Sequence, residues 1–594
     1  LRTSSNASLA AAVIAAAAAA ALAQERPESI LPPGFGDTAP APAPATPRPA
    51  TPGRVPVPAT PETTPTPAAG GVIQPLPSGT PSATPTATPT PTPTPIDPAT
   101  LARYEMPEFA RRSLNAVGVS AEVGPAAFAG ADGGFVQALM RRTAAPLPSR
   151  WLSIALRRAL SSRLEPPDGV DGADFAAERA WLLLRMGESV AARAVVQGVD
   201  NADYTPKLYQ VAMNAMLATG DPAGLCPLAD AGRAATGERG WAFAQPICAA
   251  LAGNGTAARA QFTALRRRRL ATGVDLLLAE KVVGAGSQGR QAVTIEWDGV
   301  DRLTTWRFGL AAATGTTIPE ALFAGVGAQV MSWRALAPGI PLAQRVEAAE
   351  VAAGQGVFSN TALVDLYGAV AADDDAPSGP TATATDLRTA YAGVDSATRM
   401  AALRQLWRAR PSYARLVLTA RAAVRQPASG DNTDANRIVA SLLSAGLDRT
   451  AARWSGAVAA GGDGWAMLAL ADPDRRQFVS YAQLQGYDGG SEIKRRLLFA
   501  GLAGLGRLSA EDIERAAEAL DVRIGAANSW TRALDRAAAD GQAGSVLLLA
   551  AIGMQTGSWR GVPPEALYRI VTALRAVGLD GEARMIAAEA IARA

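Results

Sequence analysis

The residues that could do chemistry in this chain are few, and each occurs in a setting that argues against it. There is no histidine among the 594 residues, which removes the commonest general base and the commonest transition-metal ligand. Gly284, Gly286 and Gly289 satisfy G-x-G-x-x-G, the spacing that admits a pyrophosphate to a helix N-terminus. They follow an apparent helix, Val274 to Val283, where a nucleotide site needs a strand. Ala285-Gly-Ser287-Gln-Gly289 imitates a nucleophile elbow without a histidine to complete it. Ser491 and Lys494 form S-x-x-K, in which lysine can activate serine for acyl transfer. Only three lysines exist (Lys207, Lys281, Lys494) and K-T-G is absent, so Ser491 after Gly489-Gly490 reads as a helix N-cap. Arg266 to Arg269 end a helix, where positive charge suits the dipole; they read as a solvated face, with an anionic polymer as the sharper alternative. Asp373, Asp374 and Asp375 lack the spaced oxygen ligands of a calcium loop. No catalytic, cofactor-binding or metal-binding residue is expected.

The two cysteines carry a firmer expectation. Cys226 and Cys248 each lie 11 residues from Gly237. If Gly237 is a turn between antiparallel helices, both thiols stand at one height, roughly 16 Å from the turn, and can bridge the facing helices as a disulfide. A pair of buried thiols is the alternative.

The elements that position these residues are legible from glycine. Gly187, Gly220, Gly253 and Gly286 are spaced by 33 residues, and the first three close apolar helical stretches before a small-residue helix. That period means stacked helical hairpins. Gly446 and Gly578 repeat the idea with drifting spacing. Over residues 174–270 the chain resembles the tetratricopeptide-type (TPR-like) helical repeats, through Trp181, the glycine turns, and Ala191-Ala192 or Ala257-Ala258 in the following helices. The expected fold class is all-α: an α-solenoid of TPR-like hairpins over residues 99–371 and 387–594, divided by a polar interlobe loop at 372–386. Val293 to Trp297 is a strand-like run expected to be a helix edge or connector.

Ahead of this lies a different composition. Residues 9–22 are an apolar run after Arg2, and Ala21-Leu22-Ala23 offers an A-x-A cleavage site, the pattern of a secretory signal peptide over residues 1–23; an uncleaved membrane anchor is the alternative. Residues 24–98 are rich in Pro, Ala and Thr, a disordered polyproline-like linker reaching roughly 230 Å if extended. Its composition is superficially similar to antifreeze glycopeptides.

The 56 basic residues are nearly all arginine against 53 acidic ones, a net charge of +3 that gives no nucleic-acid footprint. As a whole the chain resembles exported proteins of high-GC Gram-negative bacteria, which implies a periplasmic location. The leading expectation is a non-catalytic scaffold whose partner is a protein or cell-envelope component. The rival is a cell-wall-active enzyme similar to lytic transglycosylases, which combine helical superhelices with a catalytic carboxylic acid. Glu188-Ser189 resembles their Glu-Ser motif but sits in a repeat turn.

Overall fold

The computed structural model describes residues 106–287, 293–409, 412–429 and 433–594. The expected leader at 1–23 and the whole of the expected linker at 24–98 lie outside the described residues, as does everything up to residue 105. Residues 106–111 hold a 3-10 turn, Glu108–Ala110, with Phe109 exposed. Residues 112–594 form one compact unit. No strand forms among the described residues, only isolated bridges such as Val117 with Leu164.

The helices of this unit follow in order. First come α1 (Gly133–Arg142), α2 (Arg150–Ser161), α3 (Gly172–Arg185), α4 (Ser189–Val196) and α5 (Pro206–Ala218). A 3-10 helix over Pro222–Leu228 leads to α6 (Ala229–Thr236), α7 (Arg239–Leu251), α8 (Gly255–Arg267), α9 (Gly273–Gly286) and α10 (Thr305–Ala313). Then come α11 (Glu320–Ala324), α12 (Ala328–Leu336), α13 (Leu342–Gln355), α14 (Asn360–Ala371), α15 (Ser378–Ala392), α16 (Ser396–Ala409), α17 (Tyr413–Ala423) and α18 (Ala435–Ser444). The last are α19 (Asp448–Ala452), α20 (Asp463–Ala471), α21 (Tyr481–Gln485), α22 (Glu492–Gly504), α23 (Ala510–Ala519), α24 (Ser529–Ala539), α25 (Ala543–Gly553), α26 (Pro564–Ala576) and α27 (Asp580–Arg593).

Adjacent helices pack as pairs: α3 on α4, α7 on α8, α12 on α13, α15 on α16, α17 on α18. The glycine turns explain the pairing. At Gly187 the backbone N–H bonds Leu184 O and the next N–H reaches Leu183 O; Gly220 and Gly253 repeat the two bonds. This is the Schellman ending, and its left-handed residue has φ of 86°, 69° and 80° at the three sites. Only glycine takes that conformation without Cβ crowding.

Three expectations need correction. Gly286 is the last residue of α9 and not a left-handed turn; a Cβ there would stand 3.1 Å from the Ala250 Cβ, so this glycine serves the close approach of α9 to α7. The 372–386 loop is mostly the helix α15, leaving only residues 372–377 between helices. Pro377 sits at its N-cap and Pro380 in its first turns, where a missing N–H costs nothing, and α13 and α14 both pack on α17, so no lobe boundary falls there. Residues 112–132, within the stretch expected to be helical, are irregular, interrupted by Gly118, Gly124, Pro125 and Gly130.

What closes the unit is α2. It packs against α3 and α4 of the first group, α13 of the middle group, and α25 and α27 of the last. At its N-terminus the Glu589 carboxylate accepts from Arg150 N (2.8 Å), Trp151 N (3.1 Å) and Ser149 Oγ (2.7 Å), and Arg593 donates to it at 2.7 Å. In the other direction the Arg150 guanidinium donates to the carbonyls of Ala353, Phe358 (3.0 Å) and Ser444 (3.2 Å). Glu589 and Arg150 are 2% and 3% exposed, so neither could be left unpaired without a large desolvation penalty.

Replacing Glu589 by alanine therefore removes the acceptor of the Arg150 and Trp151 N–H groups and of the Ser149 hydroxyl, and the carboxylate partner of Arg593. Denaturation should show a loss of about 3–5 kcal/mol, whereas Arg515→Ala, which breaks an exposed pair with Glu511, should change stability by less than about 1 kcal/mol. Equal effects would mean that the α2 junction is not a stabilising element.

Candidate functional site

The chemistry suggested by sequence is dispersed in the structure. Gly284 lies within α9, and Ser287 caps its end with a buried, unpartnered hydroxyl; Gly289 lies outside the described residues. A phosphate cradle would need these groups at a helix start. Ser491 caps α22, its Oγ accepting from Lys494 N at 3.3 Å, while the Lys494 ammonium donates to Asp463 at 2.8 Å. Serine and amine are thus not paired. Asp373 to Asp375 are exposed, with Asp373 accepting from Asp375 N, and no cluster able to hold a metal occurs among the described residues. Arg266 to Arg269 are all exposed at the end of α8. Val293 to Trp297 is an irregular connector.

Cys226 and Cys248 are joined, with Cα atoms 5.4 Å apart. Gly237 is the left-handed end of α6 before α7, as the equal offsets require. Cys226, however, stands in the 3-10 helix, because Pro222 and Pro227 interrupt the expected α-helix.

Glu188 is a more demanding residue. It is 6% exposed at the N-cap of α4, and Arg157 Nη1 lies 2.9 Å from its carboxylate. Burial pushes its carboxyl up to about 7, the Arg157 charge offsetting only part of the shift. Ser189 beside it has a buried hydroxyl without a partner. A carboxylic acid poised near neutrality suits general acid work, but Glu188 lines neither cavity of the cleft described next.

The principal cleft was not visible in the sequence. It consists of two cavities, about 460 and 770 Å³, which share Ser412, Tyr413, Arg415 and Arg593 as lining. The elements that contribute its lining include α13, α17, α18 and the end of α27; α2 packs on α13 and α27, and its Arg150 reaches the last carbonyl of α18. The Arg593 guanidinium lies 4.6 Å from the centre of the Tyr413 ring and is anchored by Glu589. Arg415 pairs with Glu350 at 2.8 Å, reaches Thr383 Oγ1 at 3.3 Å, and stands 5.9 Å from the Tyr367 ring. Tyr367 donates its hydroxyl to the same Glu350 carboxylate. In the smaller cavity, Asp463 accepts from Tyr487 (2.6 Å) and Lys494 (2.8 Å). Burial raises the Tyr413 hydroxyl far above its ordinary range, and burial with the Asp463 bond does the same for Tyr487, so both stay neutral donors.

Two lining groups remain uncommitted. Arg437 is exposed, with no ion-pair partner among the described residues, and Ser412 Oγ is buried without a hydrogen bond at the uncapped start of α17. Arginine over tyrosine, neutral hydroxyls and one spare guanidinium make a surface suited to holding a polar chain with aromatic or anionic groups. Sequence could not find it, since Glu350, Arg415 and Arg593 are distant in the chain and each resembles any surface charge.

Two measurements follow. Glu188 has a folded-state pKa raised above its usual 4.5, so its contribution to stability is complete below about pH 4.5 and is lost as pH rises through about 7, by at most about 3 kcal/mol. Glu188→Gln should flatten the fall of melting temperature between pH 5 and 8; an unchanged slope would refute the raised pKa. Cys226→Ser should lower the melting temperature through loss of about 3 kcal/mol, and an unaltered one would show the bridge to be dispensable. The chain matches no family model, and no curated protein or solved structure matches it significantly.

Proposed function

We propose that this protein is a non-catalytic, exported helical-repeat scaffold, which holds a protein or cell-envelope component in the cleft between α13, α17, α18 and α27. The observation that carries the reading is the pair of adjoining cavities around Arg593 and Arg415. Arg593 is held by the buried Glu589 and Arg415 by the half-buried Glu350, so the lining is ordered before a partner arrives, which limits the ordering cost of binding. Export and a periplasmic location rest on the apolar run of residues 9–22 followed by Ala21-Leu22-Ala23. The Pro/Thr-rich stretch then acts as a tether.

The enzymatic alternative, a cell-wall activity like that of lytic transglycosylases, has Glu188 in its favour, since its carboxyl is raised to about 7. Its 6% exposure leaves no opening for a polysaccharide chain. The antifreeze-glycopeptide alternative rests on the composition of the linker alone.

The test uses the full chain as bait on envelope fractions. Arg437→Glu and Arg437→Ala alter an exposed position of the cleft rim without touching the α2 junction. A component retained by the wild type should be lost from both variants at unchanged melting temperature. Retention by both variants, or none by the wild type, would sink the cleft reading.

A further inference from the structure

A separate cavity lies among α5, α7, α10 and α11, next to a run of arginines. From Arg239 to Val274 the chain contains no acidic residue, yet it carries Arg239, Arg259 and the run Arg266 to Arg269. The helix dipole does not account for the run. The C-terminus of α8 is worth about half a negative charge, which one or two guanidiniums satisfy. All four side chains are exposed, and none has an ion pair or hydrogen bond among the described residues. The last of them, Arg269, holds φ of 51°, the left-handed position where glycine ordinarily ends a helix. Any residue with a Cβ there costs roughly 1–2 kcal/mol.

Directly after Arg269, the residues Leu270, Ala271 and Thr272 form one lip of a cavity of about 660 Å³. Its body is apolar, built by Met213 and Leu217 of α5, Phe243 of α7, Trp306 of α10 and Leu322 of α11. Gly240 makes room for Met213, whose sulfur would stand 2.5 Å from any Cβ at that position. The volume falls within the roughly 300–1,000 Å³ usual for small-molecule sites. Arg239 and Arg302 also border it, facing three acids, Glu238, Asp275 and Asp301. Asp275 is already held by Arg307 through two nitrogens at 2.8 and 3.0 Å. Burial raises the Glu238 carboxyl, which favours its neutral form. The positive excess beside the mouth is therefore that of the exposed run Arg266 to Arg269.

We infer that the arginine run and the adjoining cavity form one site for an amphiphile with an anionic head group. Its apolar chain lies among Met213, Leu217, Phe243 and Trp306, and its phosphate or carboxylate head lies on Arg266 to Arg269. An apolar pocket alone would accept a neutral chain, and an arginine patch alone would accept any polyanion; their adjacency selects the molecule that has both parts.

Titration calorimetry on the full chain tests this with dodecyl phosphate below its micellar concentration. Dodecyltrimethylammonium, dodecyl maltoside and inorganic polyphosphate serve as comparators. Two variants separate the halves: the fourfold Arg266, Arg267, Arg268 and Arg269→Gln, all at exposed positions, and Ala271→Trp, which fills the mouth. Unchanged circular dichroism and melting temperature establish that each is folded. Dodecyl phosphate should bind at one site, at least tenfold more tightly than either other amphiphile, and each variant should weaken it at least tenfold. Its binding should also change the tryptophan fluorescence of the wild type but not of Trp306→Phe. Equal binding of dodecyl maltoside would reduce the site to an apolar cavity. Full competition by polyphosphate with no effect of Ala271→Trp would reduce it to a polyanion patch, and absence of binding would remove it. Arg437→Glu in the principal cleft should leave this binding untouched, so the two sites fail or stand separately.

Discussion

The structure depends on a reciprocal exchange of caps at the start of α2. Glu589, near the end of the chain, supplies the negative charge that the N-terminus of α2 needs. Arg150, at that N-terminus, supplies donors to carbonyls at and beyond the ends of α13 and α18. Glu589 and Arg150 are both buried, and the exchange ties together the ends of α2, α13, α18 and α27. Removing any one leaves the others unsatisfied in a medium where that is expensive. The cleft inherits its rigidity from this junction, because Arg593, which stacks on Tyr413, is anchored by the same Glu589.

Arginine serves elsewhere as the same kind of mortar. Arg179, fully buried, donates to the carbonyls of Val117, Leu160 and Ser162, joining the irregular entry segment to the end of α2. Burial lowers its pKa to about 9, and the carbonyl oxygens provide the stabilisation that a carboxylate would otherwise supply. Arg507 likewise reaches Ala469 O and Asp472 O at the end of α20. A guanidinium offers five donors in a planar fork, and an ammonium could not span two or three carbonyls in this way. The scarcity of lysine, which in the sequence looks like compositional bias, thus has a structural use.

What was legible in the sequence is what depends on neighbours in the chain. The turns at Gly187, Gly220 and Gly253 could be read because a Schellman ending needs glycine at one fixed place after an apolar run. The helical class could be read from the same periodicity. Gly286 broke the pattern because glycine has two uses, a left-handed turn and a close approach, and spacing does not distinguish them. Residues 378–386 were read as a loop from Ser, Gly, Pro and Thr, all tolerated in a helix that begins there. The cleft was illegible for a deeper reason: Glu350, Arg415 and Arg593 meet through packing of helices that the sequence does not order in space. The pairing of Cys226 with Cys248 lay between these cases, since a single turn connects its two halves.

The distance along the chain between Arg150 and Glu589 also sets the order in which the molecule can be completed. During synthesis α2 emerges with its first N–H groups open, and it keeps them open until Glu589, 439 residues beyond Arg150, has been made. Helices α3 to α10 contact mainly one another and can assemble early, whereas the junction must wait for ring closure over more than four hundred residues. Contacts so remote form slowly, because the loop entropy is lost before they reward it. A nascent or C-terminally clipped chain would therefore hold an apolar α2 without its cover, giving a quality-control protease a ready mark of incompleteness.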